Sequence, residues 1–294
     1  MTNKEEQNYL DLLKEILDSG EDRDDRTGVG TKSLFGRSLR FDLSNNKMPL
    51  FTTKKIFVKG VIEELLFFLR GETQTKILEE KGVKIWSGNT SREFLDKNNL
   101  HYLPEGDMGK GYGFQWRNFG EQDDVSAEGT FYSGKDQIAD VLKSLKENPT
   151  SRRHLVSAWN PQQLNQMVLP PCHYSFQFYV SNKKELSCIF NMRSTDTFLG
   201  LPFNVASYAF LTHIFAKTLG YTAKEVIFNG GDVHIYNNHV YAVKEQLKRN
   251  PLPFPSLNIK KQLSSIQDIE KLCLEDFDIL DYKHHKAINA SMAV

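Results

Sequence analysis

The run from Asn204 to Leu219 reads as a helix with apolar side chains on nearly every face. It is shorter than the roughly 20 apolar residues that cross a bilayer, so it has to be enclosed by protein. A chain of 294 residues is long enough to build that enclosure. Leu10, Leu13 and Leu17 mark a first amphipathic helix stopped by Gly20. Val58, Val61, Ile62, Leu65, Leu66 and Leu69 trace a second between Phe57 and Arg70, with Glu64 beside the stripe. Ile138, Val141, Leu142 and Leu145 mark a third, from Lys135 to Glu147, ended by Asn148-Pro149.

The period then changes. His154 to Trp159, Tyr174 to Val180 and Leu186 to Met192 are short and rich in β-branched and aromatic residues, which predicts three strands. A short strand at Val226 to Phe228, a helix at Asp232 to Lys248 and a last strand region after Pro251, Pro253 and Pro255 complete the expectation. Strands and helices interleave without a regular βαβ rhythm, which predicts a mixed α/β (α+β) fold and not a doubly wound sheet. No repeat, low-complexity tract or linker divides the chain, so residues 1–294 read as a single domain.

Charge narrows the partners. Lys plus Arg and Asp plus Glu number 37 each, so no overall field attracts duplex nucleic acid or an acidic membrane. Cys172, Cys188 and Cys273 are too few and too scattered for a disulfide framework or a four-ligand zinc site. Met1-Thr-Asn-Lys-Glu-Glu-Gln lacks the apolar run of a signal peptide, so the expected compartment is the cytoplasm. The sequons at Asn89 and Asn289 then read as chance matches.

Pro170-Pro171-Cys172-His173 is the most informative tetrapeptide, because two prolines fix the backbone just before a thiol. A single cysteine in a strand-rich region is more often plain core. A free thiol, with a pKa of about 8.5, is little ionised at neutral pH unless a cation lowers that value, and arginines are the candidates to do so. Arg152, Arg153 and Arg193 flank the cysteine in sequence, and Arg26 lies in the glycine-containing loop Asp25-Arg26-Thr27-Gly28-Val29-Gly30-Thr31. Taken singly, the loop reads as a turn and the arginine pair as a solvated corner. Together with Ser194 they suit a phosphorylated small molecule, since guanidinium forks match phosphate oxygens.

The ordered set Asp25-Arg26-Thr27-Gly28, Glu63-Glu64-Leu65-Leu66, Lys84-Ile85-Trp86, Tyr112-Gly113-Phe114-Gln115-Trp116, Ser151-Arg152-Arg153, Leu169-Pro170-Pro171-Cys172-His173, Arg193-Ser194-Thr195-Asp196, Leu199 to Tyr208, Gly231 to Tyr236 and the terminal Met292-Ala293-Val294 closely resembles the thymidylate synthase family. The resemblance runs from about Tyr9 to the last residue. It implies a mixed sheet flanked by helices, packed against the same sheet of a second copy, with a variable insert at about residues 121–133. It also implies reductive methylation of deoxyuridine monophosphate (dUMP), with 5,10-methylenetetrahydrofolate as co-substrate and no metal.

Residue by residue, the resemblance makes Cys172 the nucleophile that adds to C6 of the uracil ring. Glu64 organises waters and protons near the pyrimidine O4, Tyr112 helps remove the C5 proton, and Trp86 covers the reacting carbon. Asn204 reads O4 and N3–H of the base, and His234 and Tyr236, with Ile235 between them, hold the deoxyribose. Arg26, Arg193 and Ser194 are phosphate ligands within one chain, with Thr195 and Asp196 following. Arg152 and Arg153 are donated by the neighbouring subunit of an obligate homodimer. Phe57, Ile85, Trp86, Asp196, Leu199, Gly200, Phe203 and Ala293 line the folate pocket. His173 is a supporting residue, Cys188 and Cys273 are structural, and His234 with His239 make a poor metal pair.

Three departures stand out. Met192 replaces the glutamine usual before the Arg-Ser pair, Ser87 replaces an acidic residue, and Met108-Gly109-Lys110-Gly111 replaces a Gly-Pro-Val form, leaving that loop's rigidity open. Met192 also fits a deoxypyrimidine monophosphate hydroxymethylase, in which water captures the exocyclic methylene in place of hydride. Trp86, Pro202-Phe203-Asn204 and the terminal Met292-Ala293-Val294 favour the synthase. A non-catalytic nucleotide- or RNA-binding regulator is the alternative of a different class, and the intact cysteine and arginine set weighs against it.

Overall fold

A computed structural model of the chain describes residues 3–121 and 133–291. The expected insert at about 121–133 therefore falls almost wholly outside the described residues, as does the terminal Met292-Ala293-Val294. The helices are α1 Lys4–Ser19, α2 Val58–Leu69, α3 Lys76–Glu80, α4 Arg92–Lys97, α5 Gly113–Asn118, α6 Gln137–Glu147, α7 Gly200–Leu219, α8 Val240–Gln246 and α9 Ile266–Glu270. The strands are β1 Glu21–Arg23, β2 Thr31–Asp42, β3 Leu155–Ser157, β4 His173–Val180, β5 Glu185–Asp196, β6 Thr222–Tyr236, β7 Ser256–Ile259 and β8 Phe277–Leu280.

Six strands form one sheet in the order β1-β2-β6-β5-β4-β3, and β7 pairs with β8 separately. All neighbours in the large sheet are antiparallel except β5 and β6. A parallel pair needs a crossover, and α7 supplies it. That explains the opening feature of the sequence: the apolar helix lies between sheet and outer helices, with Val205, Ala209, Phe210, Leu211, Ile214 and Phe215 fully buried. Phe176, Phe178 and Phe190 meet it from the sheet, and Phe228 packs on Phe190.

Among the described residues the opposite face of the sheet is bare. Leu155 and Tyr179 are 49% and 67% exposed there, and Phe35, 82% exposed, lines the same concavity as Asn191 and Asn229. Between them a polar seam crosses four strands: Ser38 donates to Asn229, Asn229 to Asn191 at 3.3 Å, and Asn191 to Ser175 at 3.1 Å.

Several boundaries differ from expectation. The short strand expected at Val226 to Phe228 is the middle of β6, which continues through Tyr236. The helix expected from Asp232 to Lys248 is therefore confined to α8, because Val233 and Ile235 are buried as strand residues paired with β2. Strand β2 was not anticipated; Gly36, at φ +73°, carries a break in its pairing and disrupts the two-residue alternation. Gly20 does stop α1, but with an extended backbone at φ −70°, ψ 142°. Its requirement is space, since a Cβ there would sit 2.4 Å from the Ile16 carbonyl oxygen.

Candidate active site

Cys172 lies at the entrance to β4, just after the Pro170-Pro171 bend. Its backbone N–H donates to the Tyr112 hydroxyl at 2.9 Å, and its carbonyl accepts from the Arg193 N–H at 2.9 Å. The Arg193 side chain wraps the same bend, donating from Nε to the Pro171 carbonyl at 2.9 Å and from Nη2 to the Pro170 carbonyl at 2.8 Å. The thiol is thus held by β5 and by the turn before α5. Burial pushes its pKa above the ordinary value, and Arg193, the Tyr112 hydroxyl and Arg26 pull it down, in that order. The arginines therefore do not outweigh desolvation within a single chain, contrary to the expectation of a lowered thiol pKa.

Beneath the cysteine lies an aromatic and acidic floor. Glu64, on the buried length of α2, accepts from Trp86 Nε1 at 2.7 Å. Burial raises its carboxyl to about 7, against the opposing Trp86 hydrogen bond. Tyr112 stacks on Phe68 with ring centroids 5.0 Å apart and meets the His173 ring at a tilt at 4.4 Å, and Trp86 lies 5.8 Å away. Tyr112 sits at φ +30°, a costly conformation for a residue with a side chain. The packing around it supplies the restraint. A Cβ on the following Gly113 would approach Phe68 Cα at 2.9 Å, so only glycine lets α5 come this close to α2. His173 Nδ1 bonds the Tyr208 hydroxyl at 2.9 Å, and burial lowers its pKa to about 3, so it supports the floor as a neutral ring.

The departures from the family pattern have local explanations. Met192 is buried in the core. Ser87 donates to Glu79, so a carboxylate is still present beside that position. The Met108 to Gly111 loop is pinned by backbone bonds from Met108 to Thr73, Lys110 to Gln166 and Val168 to Met108, at 2.9, 2.9 and 3.1 Å. Gly109, at φ +66°, lies where a Cβ would meet the Gln166 carbonyl oxygen at 2.0 Å.

The arginines expected at the phosphate, Arg26, Arg152 and Arg153, lie at the surface. Asp25 organises the Arg26 loop by accepting from Thr27 N at 2.8 Å, Thr27 Oγ1 at 2.6 Å and Gly30 N at 2.8 Å. Asn237, just past β6, donates its N–H to the Gly30 carbonyl at 3.0 Å. Arg26, Arg152 and Arg153 are exposed, and no guanidinium among the three makes a hydrogen bond or ion pair among the described residues. Arg152 and Arg153 immediately precede the edge strand β3.

Parallel pairing of β5 with β6 sets Ser194 beside Asp232 and Asp196 beside His234. His234 Nδ1 bonds Asp232 at 2.8 Å, and its ring meets Tyr236 edge-on at 5.1 Å. Thr195 and Ile235 are fully buried, so their side chains belong to the core. Asn204 is half-buried on the first turns of α7, across Gly200 from Asp196.

On the remaining side, Ile85, Trp86, Leu199 and Phe203 are partly exposed against the core and Phe57 is half exposed. Asp196 Oδ1 accepts from the N–H groups of Phe198 and Leu199, each at 3.0 Å. Among the described residues its Oδ2 has only His239 Nδ1 at 3.9 Å, beyond hydrogen-bond distance, and so retains capacity for a donor such as a pterin N–H. These residues fit a bound folate. Ala293 lies outside the described residues.

Sequence reasoning missed four contributors. Lys54 is buried, donates to the Phe198 carbonyl, lies 3.6 Å over the Phe198 ring, and is lowered by burial to about 7. Glu6 clamps the preceding Thr52 and Thr53 through bonds of 2.7 and 2.8 Å. Asn237 and His239 were concealed within the expected helix. Only the Asn-Asn-His run directly after a buried strand could have drawn attention to them.

Comparison with known proteins agrees with this arrangement. A family model described as "Thymidylate synthase" matches residues 7–294. Thymidylate synthase of Saccharomyces cerevisiae is 49% identical over 301 residues, covering 99% of this chain and 98% of its own. That of Candida albicans is 50% identical over 311 residues, with the same coverages of 99% and 98%. The bifunctional dihydrofolate reductase-thymidylate synthase of Leishmania major is 49% identical over 295 residues, covering 99% of this chain and 56% of that longer protein. No helix among the described residues is long and apolar enough to cross a membrane. With a thiol held between an arginine and a tyrosine above a buried carboxyl, and with these matches over nearly its whole length, the chain belongs to the thymidylate synthase family.

Proposed function

We propose that the chain converts dUMP to thymidylate, with Cys172 as nucleophile and the residues around it in the roles their geometry permits. The arrangement of Cys172 between Tyr112 and Arg193, above the Glu64–Trp86 pair, carries this reading. The sulfur adds to C6 of the uracil as its proton leaves, which makes C5 a carbon nucleophile. Folate, when bound, would supply both the one-carbon unit that C5 takes and the hydride that completes the methyl group; C5 gives up its proton in between, and arrival of the hydride expels the Cys172 sulfur from C6 and restores the ring double bond. Glu64, near 7, can hold or release a proton at neutral pH. Tyr112 is raised well above its ordinary range by burial, so it stays protonated and relays a C5 proton without keeping it. Trp86, anchored by Glu64, keeps water from the exocyclic carbon.

Asn204 offers a donor and an acceptor to O4 and N3–H, and His234 and Tyr236 face the sugar. Arg26, Arg193 and Ser194 hold the phosphate, completed by Arg152 and Arg153 of a second copy. The exposed Leu155 and Tyr179 on the sheet face, and arginines at its edge that have no partner among the described residues, support a homodimer in which that face is buried. Cytoplasmic residence belongs to the same reading, supported by three cysteines in no disulfide.

Incubation with dUMP and methylenetetrahydrofolate, followed through dihydrofolate formation, tests the activity. Stoichiometric dihydrofolate and thymidylate are expected. Product with tetrahydrofolate would identify a hydroxymethylase, and nucleotide binding without any product would identify a regulator.

A further inference from the structure

We propose that Glu6, on the buried face of α1, is a positioning residue that holds the turn carrying Asp196 for the folate; this rests on the folate reading above. Glu6 is fully buried. Its Oε1 accepts from the N–H groups of Thr52 and Thr53 at 2.8 and 2.7 Å and from Thr53 Oγ1 at 2.7 Å, and its Oε2 accepts from Thr52 Oγ1 at 2.7 Å. Leu252 N–H donates to Thr52 Oγ1 and Gln246 Nε2 to Thr53 Oγ1, each at 2.8 Å, which leaves both hydroxyl hydrogens for the carboxylate. An apolar side chain could fill position 6, so packing alone does not call for a buried carboxylate. What the carboxylate adds is backbone geometry: one oxygen takes two consecutive N–H groups, which fixes the direction in which the chain enters Lys54.

Lys54 in turn donates to the Phe198 carbonyl, with its ammonium over the Phe198 ring. Tyr9, one turn beyond Glu6 on the same face of α1, donates to the Thr197 carbonyl at 3.1 Å. The same stretch of chain closes on Asp196, whose Oδ1 accepts from the N–H groups of Phe198 and Leu199. Helix α1 therefore pins the turn after β5 twice, directly through Tyr9 and in relay through Glu6, the two threonines and Lys54. The direction of the Asp196 carboxylate follows from that turn.

The test is calorimetry on the full chain with dUMP present, using tetrahydrofolate, which lacks the one-carbon unit and cannot turn over. Glu6→Ala is expected to weaken tetrahydrofolate about tenfold and dUMP less than about twofold. Lys54→Met, at the far end of the relay, is expected to show the same split. Because Glu6 acts through Lys54, the double variant Glu6→Ala/Lys54→Met is expected to match the more affected single variant within about twofold. Thr53→Val keeps the side-chain shape and removes one of the four bonds; it is expected to weaken tetrahydrofolate about threefold, and it carries the test if Glu6→Ala does not fold. Lower thermal stability with tetrahydrofolate affinity unchanged, equal weakening of dUMP, or losses that multiply in the double variant would each overturn the positioning role. Asp196→Asn separates this role from the reading beneath it. Weakened tetrahydrofolate there, with none in the Glu6 and Thr53 variants, would overturn the relay alone, whereas unchanged affinity in Asp196→Asn would overturn the folate reading of Asp196.

Discussion

The floor and the rim of this site are built on opposite principles. In the floor, Glu64, Trp86, Tyr112, His173 and Tyr208 are tied by hydrogen bonds of 2.7 to 2.9 Å and stacked rings, all within one chain. In the rim proposed for the phosphate, Arg26, Arg152 and Arg153 stand exposed without a hydrogen bond or ion pair among the described residues. The floor spends folding energy on burying a carboxyl and a strained tyrosine, which sets proton affinities before substrate arrives. The rim stays solvated, with its charges uncommitted among the described residues. A net charge of zero conceals this division, because the charge that matters is local.

Removing the nucleophile should break the floor most completely. Cys172→Ser is expected to lower kcat by at least about a thousandfold while leaving dUMP affinity within about threefold, as read by dihydrofolate formation and by calorimetry. Glu64→Gln comes next, with a loss of about a hundredfold or more in kcat. It also carries a stability signature. The carboxyl is raised from 4.5 to about 7, so between those values the native chain keeps a proton the unfolded chain has released. Stability falls as pH rises through that window and is flat above it. Glu64→Gln should remove that fall and exceed the unmodified protein at pH 8 by up to about 3 kcal/mol in urea unfolding.

Rim variants should behave differently. Arg152→Ala combined with Arg153→Ala is expected to raise KM for dUMP about ten- to a hundredfold, with an effect on kcat smaller than that of Glu64→Gln. Asp25→Ala, which removes three hydrogen bonds from the Arg26 loop, should raise KM for dUMP by about three- to tenfold and leave the folate KM unchanged. A rim variant that lowered kcat without moving KM would erase the distinction between the two regions.

The two regions also differed in how far the sequence revealed them. The helix stripes of α1, α2 and α6 and the strand cores of β4 and β5 were readable because their apolar spacing is regular. Strand β2 escapes because Gly36 interrupts its alternation, and the end of β6 reads as helix because Val233, Tyr236, Val240 and Val243 also match a helical period. Cys172, Glu64 and Asn204 stand in ordered motifs, which is what made them candidates. Their consequences were not: that burial outweighs arginine at the thiol, or that Tyr112 sits at positive φ, follows from packing between distant segments. Glu6, Lys54 and His239 lacked any motif, since each acts through a contact more than forty positions away.

The central claim is that a complete site draws its floor from one chain and two rim arginines from another. Mixing Cys172→Ser protein with Arg152→Ala/Arg153→Ala protein under conditions that exchange subunits tests it directly. Each mixed dimer would hold one site with an intact cysteine from one chain and intact arginines from the other. Random exchange makes half of the dimers mixed, so turnover at low dUMP should rise to about a quarter of that of the unmodified protein. Turnover that stays at the sum of the two separate variants would contradict the shared site.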